Sequence, residues 1–467
     1  MRAFLIQTYD RLKGSYWFFP SLMATMAALL AVVFVQLDSI IPSTFFGSNP
    51  FFYATQPDGA RSILSAIAGS MIGVAGTVFS VTMAAVVFAS SSYGPRLLTN
   101  FMNDRGNQIT LGTFVATFVY SILVLRSVRN GSDEAAYSTM FVPNLAVYGA
   151  IALAIASIGV LIFFIHHVPS NIHISNVIAR IGQSLIARID MMFPQKVGHP
   201  PDADNHEHVL WQVPDCFRSG AEERHPPDYA EVRGTRSGYL QVLDHETLMT
   251  AAQEHNLIIR LNCRPGTFVH SGAYIFDVWP AERLTEDARD ALHSALALGT
   301  MRSPSQDLFF LIDELVEIAA RALSPGVNDP FTATTCMDWL SAAYSSFIGR
   351  DQVDPLRTDE DGKLRLIAPS FDFGGYLEQG FGNLRQYAAS DRIASVHVLK
   401  ALGDLLSVAE RTSEIEALRD QKTKLLVLSR KALTDANLQA VEAEADAFDA
   451  RDRHPRRRSE NNAHSID

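Results

Sequence analysis

Four apolar stretches of bilayer-spanning length lie in the first 165 residues and constrain the fold more than any other feature. They cover residues 16–37, 62–89, 109–125 and 143–165, each close to the roughly 20 residues that cross a hydrocarbon core. Because backbone groups in lipid must be hydrogen-bonded internally, we predict four transmembrane helices. None of the stretches contains Asp, Glu, Lys or His, which argues against a proton-coupled transporter or pump.

Charge divides the chain into two parts. The net charge is −11 overall, but residues 1–189 carry +4, which leaves −15 for residues 190–467. We therefore predict a membrane part followed by a soluble part that is long enough for its own core. An acidic soluble part argues against nucleic acid as a partner. Its three cysteines match no zinc or redox spacing, so we expect reduced thiols.

Basic residues near the spans predict that both termini and the large C-terminal part lie in the cytoplasm. On one side of the membrane the predicted topology places Arg2, Arg11, Lys13, Arg96, Arg105, Arg180 and Arg188. On the other side it places Arg61, Arg126 and Arg129.

The second stretch is unusual in length and in its small residues. Its 28 residues would reach about 42 Å as a helix, more than a bilayer core. Small residues recur every three or four positions and share one helical face. This face indicates either close helix–helix packing or the wall of a pore in an oligomer, and both interpretations make this the central helix. The candidate pore-lining residues are Ser62, Ser65, Gly69, Gly73, Gly76 and Ser80.

Hydroxyl and basic residues follow this stretch at the predicted cytoplasmic mouth. They are Ser90, Ser91, Ser92, Arg96 and Arg105. Together they are candidates for coordinating an anion or a lipid headgroup. The alternative is a helix end with capping serines and ordinary positive-inside arginines.

Five distinctive stretches occur between the second apolar stretch and residue 333. They are FASSSYGPRLL (88–98), NDRGNQITLGTFVATFVY (103–120), FIHHVPS (164–170), RPGTFV (264–269) and RALSPGVNDPFTA (321–333). These stretches resemble a family of bacterial predicted membrane proteins known only as a domain of unknown function. The resemblance implies a bacterial inner-membrane location and four spans followed by a cytosolic domain. It implies no activity, so no catalytic residue is carried over.

The predicted fold class is mainly α, with a four-helix transmembrane region, an amphipathic linker helix and a cytosolic α+β domain made of a small mixed β module and a helical bundle. The apolar stripe of the linker helix suits either a position on lipid headgroups or bundling with copies of itself. The predicted segments are a transmembrane domain 1–168, a linker helix 169–193, an irregular connector 194–236, a β-rich module 237–280, a helical domain 281–450 and a disordered basic tail 451–467.

Two features of the helical domain invite a functional interpretation. A turn between two helices offers Ser324, Gly326, Asn328, Asp329 and Thr332 as a possible site for an anion or a nucleotide phosphate. The alternative is a structural turn in which Gly326 ends one helix and Asp329 caps the next. In the preceding helix, Asp313 and Glu317 lie one turn apart, a spacing that suits a cation or an acid/base site. The alternative, which we expect, is that the acidic residues Asp307, Asp313, Glu314 and Glu317 form a solvated face.

No catalytic motif appears, and we predict no catalytic residue, metal or cofactor. The leading hypothesis is a homo-oligomeric ion-conducting pore gated through its cytosolic domain, with the lipid bilayer, further copies and small ions as partners. The alternative is a membrane-tethered oligomeric scaffold or sensor without transport activity. A third hypothesis is a membrane enzyme that uses the turn at 324–331.

Overall fold

The computed structural model describes residues 15–40, 55–94, 104–129, 140–192, 206–218, 228–350, 354–369 and 372–453. The chain forms two compact units: a membrane unit that ends at Asn176, and a C-terminal unit that begins at Val177.

The membrane unit consists of four long helices, each apolar enough to cross a bilayer. They are α1 (Phe18–Ile40), α2 (Pro57–Tyr93), α3 (Arg105–Ser127) and α4 (Asn144–Ile172). The four predicted spans are therefore present. The 37 residues of α2 reach about 55 Å, because the helix continues through polar residues on both sides of its apolar stretch.

The central helix of this unit is α3 rather than α2. In its apolar window 56% of the residues are buried, against 28% in α2, and α3 contacts each of the other three helices. Small and hydroxyl side chains allow this close packing. The hydroxyl oxygen of Thr117 in α3 lies 3.0 Å from that of Ser157 in α4. The Tyr120 hydroxyl of α3 donates a hydrogen bond to the Ala146 carbonyl of α4 at 3.0 Å.

The amphipathic helix α5 (Ile174–Met192) packs on the C-terminal unit. Its stripe is buried and comprises Val177, Ile178, Ile181, Leu185 and Ile189. A side chain at Gly182 would collide with the Trp339 ring, and Arg188 donates to the Ser305 carbonyl at 2.5 Å. The stripe therefore belongs to a protein core, which differs from both of the locations that the sequence suggested.

Two sheets form the β part of the C-terminal unit. Their strands are β1 (Ala230–Arg233), β2 (Gly238–Leu243), β3 (Ile258–Leu261), β4 (Phe268–Val269), β5 (Tyr274–Trp279), β6 (Leu296–Gly299), β7 (Leu356–Thr358) and β8 (Leu364–Ile367). One sheet has five strands in the order β1-β5-β3-β8-β7, and the other has three in the order β4-β2-β6. Among the described residues, only β3 and β8 pair in parallel.

The sheets thus extend beyond the predicted module 237–280. Strand β1 comes from the segment predicted as irregular, while β6, β7 and β8 come from the segment predicted as helical. Their three or four residues are too short for period-two alternation to stand out. A core of apolar side chains lies against the sheets and includes Leu240, Leu248, Ile259 and Phe276.

Helices make up the rest of the C-terminal unit, and a π-helical segment, Glu378–Gly382, joins two of them. They are α6 (His206–Gln212), α7 (His245–Glu254), α8 (Glu286–Ser294), α9 (Leu308–Ala322), α10 (Pro330–Phe347), α11 (Phe373–Leu377), α12 (Asn383–Ala388), α13 (Arg392–Val408), α14 (Thr412–Ala432) and α15 (Asp435–Arg453).

Candidate functional site

The small residues of α2 form one exposed face of the membrane unit, which we call the small face. At 100° per residue, its centre is occupied by side chains no larger than serine over the roughly five turns from Ser62 to Ser80. All of the predicted pore-lining residues are exposed on it: Ser62, Ser65, Gly69, Gly73, Gly76 and Ser80.

Contacts within the unit use the opposite side of α2. Residues at four- or three-residue intervals are buried there, and α2 contacts α3 and α4. These residues are Ala60, Leu64, Ala68, Met71, Ala75 and Val78. On the small face, a Cβ added at Gly69, Gly73 or Gly76 would meet no described atom within 4 Å. The small residues are therefore not used for packing against the other described helices of this chain.

Hydroxyl groups on and beside the small face bond to their own helix. Thr77 donates to the Gly73 carbonyl at 3.1 Å, and Ser80 donates to the Gly76 carbonyl at 2.9 Å. The protons of these two hydroxyls are thereby bonded within α2. The oxygen lone pairs remain able to accept hydrogen bonds from a further group.

Bulky side chains end the small face near the C-terminal end of α2. Val87 is 66% exposed and lies in line with the glycines, whereas Phe88, which is 55% exposed, lies at the edge of this side of the helix. Beyond them, the Ser91 hydroxyl donates to the Phe88 carbonyl at 2.9 Å. Any path along the small face would therefore be most apolar at this end.

The predicted mouth residues are only partly described. Ser90 and Ser91 lie in the last turns of α2, Ser92 continues the helix, and Arg105 is the exposed first residue of α3. Arg96 lies outside the described residues. The ligand proposed for this group stays a prediction.

Two polar clusters at the helix ends are absent from the sequence-based candidates. At one end, Asp38 accepts the backbone N–H groups of Leu145 and Ala146, each at 2.9 Å, and so caps α4. It lies one residue beyond the predicted first span. The sequence offered one signal for this role, an acidic residue directly next to an apolar stretch. A carboxylate that is buried at the end of a span needs hydrogen-bond donors, and the start of another helix supplies them.

The second cluster joins the start of α3 to the last turns of α4. The Asp104 carboxylate accepts the Gly106 N–H at 2.7 Å and lies 3.1 Å from the His167 Nε2. Asn171 also donates to this carboxylate. Asp104 thereby combines helix capping with a contact between two spans.

An apolar cavity of about 450 Å³ lies between α2 and α4. Its walls include Val74, Val78, Leu161, Phe164 and Val168. This lining offers no charged group, so the cavity suits only apolar material such as a lipid chain or a neighbouring side chain.

The turn at 324–332 is built by its own hydrogen bonds. Asp329 accepts the Thr332 N–H at 3.1 Å, and also its hydroxyl at 2.6 Å, so the Asp329 carboxylate caps the start of α10. Ser324 accepts the N–H of Asn328 at 2.9 Å through its carbonyl, and Gly326 is exposed. A carboxylate thus occupies the position that an anion would take, which supports the structural alternative.

The acidic residues of α9 are less exposed than the sequence suggested. Asp307 is 2% exposed and Glu314 is 1% exposed, so the expectation of a wholly solvated face is wrong for these two. Arg302 donates to Asp307 at 2.8 Å and to Asp313 at 2.5 Å. Arg302, which comes from a preceding loop, thus pairs with Asp307 and Asp313 and compensates for the burial of the Asp307 carboxylate.

The Arg264-Pro-Gly turn contributes to the same charged cluster. The Arg264 guanidinium lies 4.0 Å from the Phe309 ring centre and 3.7 Å from the Asp307 carboxylate. Gly266 adopts a φ of +90°, and the Asp307 side chain fills the space beside it. Burial raises the pKa of Asp307 although Arg302 and Arg264 act in the opposite direction. The cluster links two loops to α9.

No group of three or more His, Cys, Asp or Glu side chains arranged to hold a metal occurs in the described parts of the chain. The structure thus adds no metal centre to the candidate sites within those parts.

Comparison with known proteins supports the membrane assignment without adding an activity. Uncharacterized proteins of Mycobacterium bovis and Mycobacterium tuberculosis are 29% identical over 410 residues, which cover 85% of this chain and 72% of theirs. No solved structure matches. The model of the predicted membrane protein family DUF2254 matches residues 13–404, and the chain therefore belongs to this family.

Proposed function

We propose that the protein is a homo-oligomeric ion-conducting pore of the bacterial inner membrane, with both termini and the C-terminal unit in the cytoplasm. The small face of α2 lines the pore, and the C-terminal unit assembles and gates it. The observation that carries this proposal is the open space beside Gly69, Gly73 and Gly76, on a helix whose opposite side is already packed.

The energetics of helix association in lipid support a role for this face between copies. Lipid chains compete equally for large apolar side chains, so helices associate where small residues let backbones approach closely. The face is too long and too regular to be explained by packing against α3 and α4, which contact other residues of α2. A further copy of α2 is the partner whose shape matches it by symmetry.

The polarity of the face supports a water-filled path rather than a purely dry contact. Ser62, Ser65 and Ser80 present hydroxyl groups, and the glycines leave backbone carbonyls close to the surface. The absence of ionisable side chains within the apolar stretch of α2 suits passive conduction, which needs no coupling group. At the end of the face, Val87 provides an apolar constriction of the kind that gates by dewetting.

Substitution of Gly73 by leucine tests the proposal. Purified protein in planar bilayers should give discrete currents, and Gly73→Leu should abolish them or reduce their unitary size, because the larger side chain enters the path. Gly159→Leu is the matched control. Gly159 is an exposed glycine of α4 that also has no described atom near its side-chain position, so this variant should conduct as the wild type does.

Three outcomes separate the hypotheses. Currents that Gly73→Leu alters and Gly159→Leu does not would support the pore. A stable oligomer that conducts no ion at any tested pH, but that Gly73→Leu dissociates, would instead support the scaffold or sensor. A monomeric protein without currents would contradict both. Reversal potentials in salt gradients would assign the sign of the permeant ion.

A further inference from the structure

The cavity between α2 and α4 is a groove that opens on the outside of the membrane unit. Val78, Phe164 and Val168 are at most 8% exposed and form its floor. Val81 is 45% exposed and Ile165 is 65% exposed, and these two side chains form its rim. We call this feature the α2–α4 groove. Its volume of about 450 Å³ lies in the range of cavities that hold small ligands.

The walls of the groove belong to two helices of the membrane unit. The groove extends from Val74 to Val81 on α2 and from Leu161 to Pro169 on α4, within segments that are apolar enough to cross a bilayer. Each wall is about 11 Å long, which is most of the roughly 15 Å that one leaflet contributes to the hydrocarbon core. The groove therefore has the length for a large part of one acyl chain that runs along the helices.

The lining of the groove calls for an apolar occupant. Among the described residues that line it, Thr77 alone carries a polar side chain, and its hydroxyl donates to the Gly73 carbonyl at 3.1 Å. A water molecule needs several polar partners and would not find them here. An empty groove would leave the lining atoms without dispersion contacts on one side.

The size of the lining side chains favours a lipid chain over a second copy of the protein. Within a bilayer, large apolar side chains gain little from a protein partner, whereas small residues let helix backbones approach closely. Valine, leucine, isoleucine and phenylalanine line the groove, in contrast to the small face of α2. Val74 and Val81 directly follow Gly73 and Ser80 of the small face, and so point about 100° away from it. A copy bound through the small face would therefore use a different side of α2.

We propose that the α2–α4 groove binds one acyl chain of a bilayer phospholipid, which lies along the two helices in contact with Val78, Phe164 and Val168. The chain is held by dispersion contacts and by the shape of the groove. This lipid site is independent of conduction, because it requires only that α2 and α4 cross a bilayer.

Photo-crosslinking in a bilayer tests the proposal on the full-length protein. The protein is reconstituted into phosphatidylcholine vesicles in which part of the lipid carries a diazirine halfway along one acyl chain. After irradiation, mass spectrometry locates the labelled residues. The floor residues Phe164 and Val168 should be labelled although they are buried, and the exposed Ile155 should be labelled by bulk lipid. Phe114 is 1% exposed and does not line the groove, so it should remain unlabelled.

Two substitutions fill the groove, one from each wall. Val81→Trp and Leu161→Trp should each reduce the labelling of Phe164 and Val168 at least about threefold, because the indole takes the place of the chain. Ile155→Trp is the matched control. It adds the same side chain at a position of α4 that is 65% exposed and outside the groove, and it should leave the labelling of the floor unchanged.

Three results would overturn the proposal. An unlabelled floor in the wild type, beside a labelled Ile155, would indicate that protein such as a second copy fills the groove. Equal labelling of the floor in the wild type and in both filled variants would show that the label does not arrive through the groove. Equal labelling of Phe114 and the floor would show that the reagent enters the helix packing without a specific site.

Discussion

Glycines in the helices of the C-terminal unit and glycines on the small face of α2 have opposite surroundings. Beside Gly182 the space is filled by the Trp339 ring, and beside Gly403 it is filled by the Arg451 guanidinium. Beside Gly69, Gly73 and Gly76 no described atom lies within 4 Å. In the C-terminal unit a missing side chain lets a neighbour approach within the chain, whereas on α2 it leaves room for something outside the chain.

The membrane unit itself shows that this difference does not follow from the environment alone. In α3, a Cβ at Gly112 would fall 2.6 Å from the Met23 sulfur, and in α4 a Cβ at Gly149 would fall 2.5 Å from the Tyr120 hydroxyl. Glycines at the internal helix contacts of this unit are thus used for close packing as well. The small face is distinct because it combines several open glycines along one line.

Leucine substitutions provide the strongest test of this comparison. Gly182→Leu should lower the free energy of unfolding of the C-terminal unit by about 3 kcal/mol or more, because the buried site must accommodate a side chain against Trp339. Gly69→Leu should not lower the stability of the detergent-solubilised protein and should raise it by at most about 1 kcal/mol, because leucine favours a helix over glycine and meets no described atom there. Thermal unfolding monitored by circular dichroism measures both. Equal losses in the two variants would remove the distinction between filled and open glycines.

Charged side chains of the C-terminal unit give a second test, with a smaller expected effect. Like the helix glycines of that unit, they contact partners within the chain. Arg365 donates to Asp359 at 2.7 Å, and the backbone N–H groups of Lys363 and Asp361 donate to the same carboxylate at 2.9 and 3.1 Å. Burial tends to raise the pKa of Asp359, but the hydrogen bond from Arg365 and those from the backbone outweigh it and lower the pKa below its ordinary value.

Asp359→Asn should therefore destabilise the protein by about 2 kcal/mol near neutral pH, through the loss of a charged hydrogen-bonded pair. A lowered pKa stabilises the folded state above the unfolded value of about 4, and this stabilisation disappears as the pH falls through the lower folded-state value. The difference in free energy of unfolding between wild type and variant should stay constant from pH 6 to 8 and shrink below about pH 4. Urea unfolding at each pH measures this difference. A difference that does not depend on pH would contradict the lowered pKa of Asp359.

The native thiols give the smallest effect, a difference in reaction rate without a change in stability. Cys263 and Cys336 are buried, and Cys216 is partly exposed. Burial raises the pKa of Cys263 to about 12 and also raises the pKa of Cys336 and Cys216. At pH 8, a maleimide should label Cys216 slowly and leave the other two unmodified until the protein is unfolded. Mass spectrometry of the labelled peptides identifies the sites, and rapid native labelling of Cys336 would show that its surroundings open.

The sequence pattern was sufficient to predict the spans of the membrane unit. The reason is that lipid requires every membrane-crossing segment to be apolar along its own length. An apolar stretch of about 20 residues predicts a span without knowledge of its neighbours, and all four spans were predicted. The small face was likewise visible from helical periodicity. Strands β6, β7 and β8 were not predicted, since they are short and their partners are distant in sequence, as in the pairing of Ile259 with Leu366.

The sequence by itself therefore determined the four spans, the family and the line of small residues along α2. Only the tertiary structure decided that α3 is central, that the stripe of α5 is buried, and that Asp307 lies inside the C-terminal unit. It also decided that the glycines of α2 point away from the other described helices. The physical reason is that periodicity fixes which residues share a face, whereas the partner of that face depends on contacts between segments far apart in the chain.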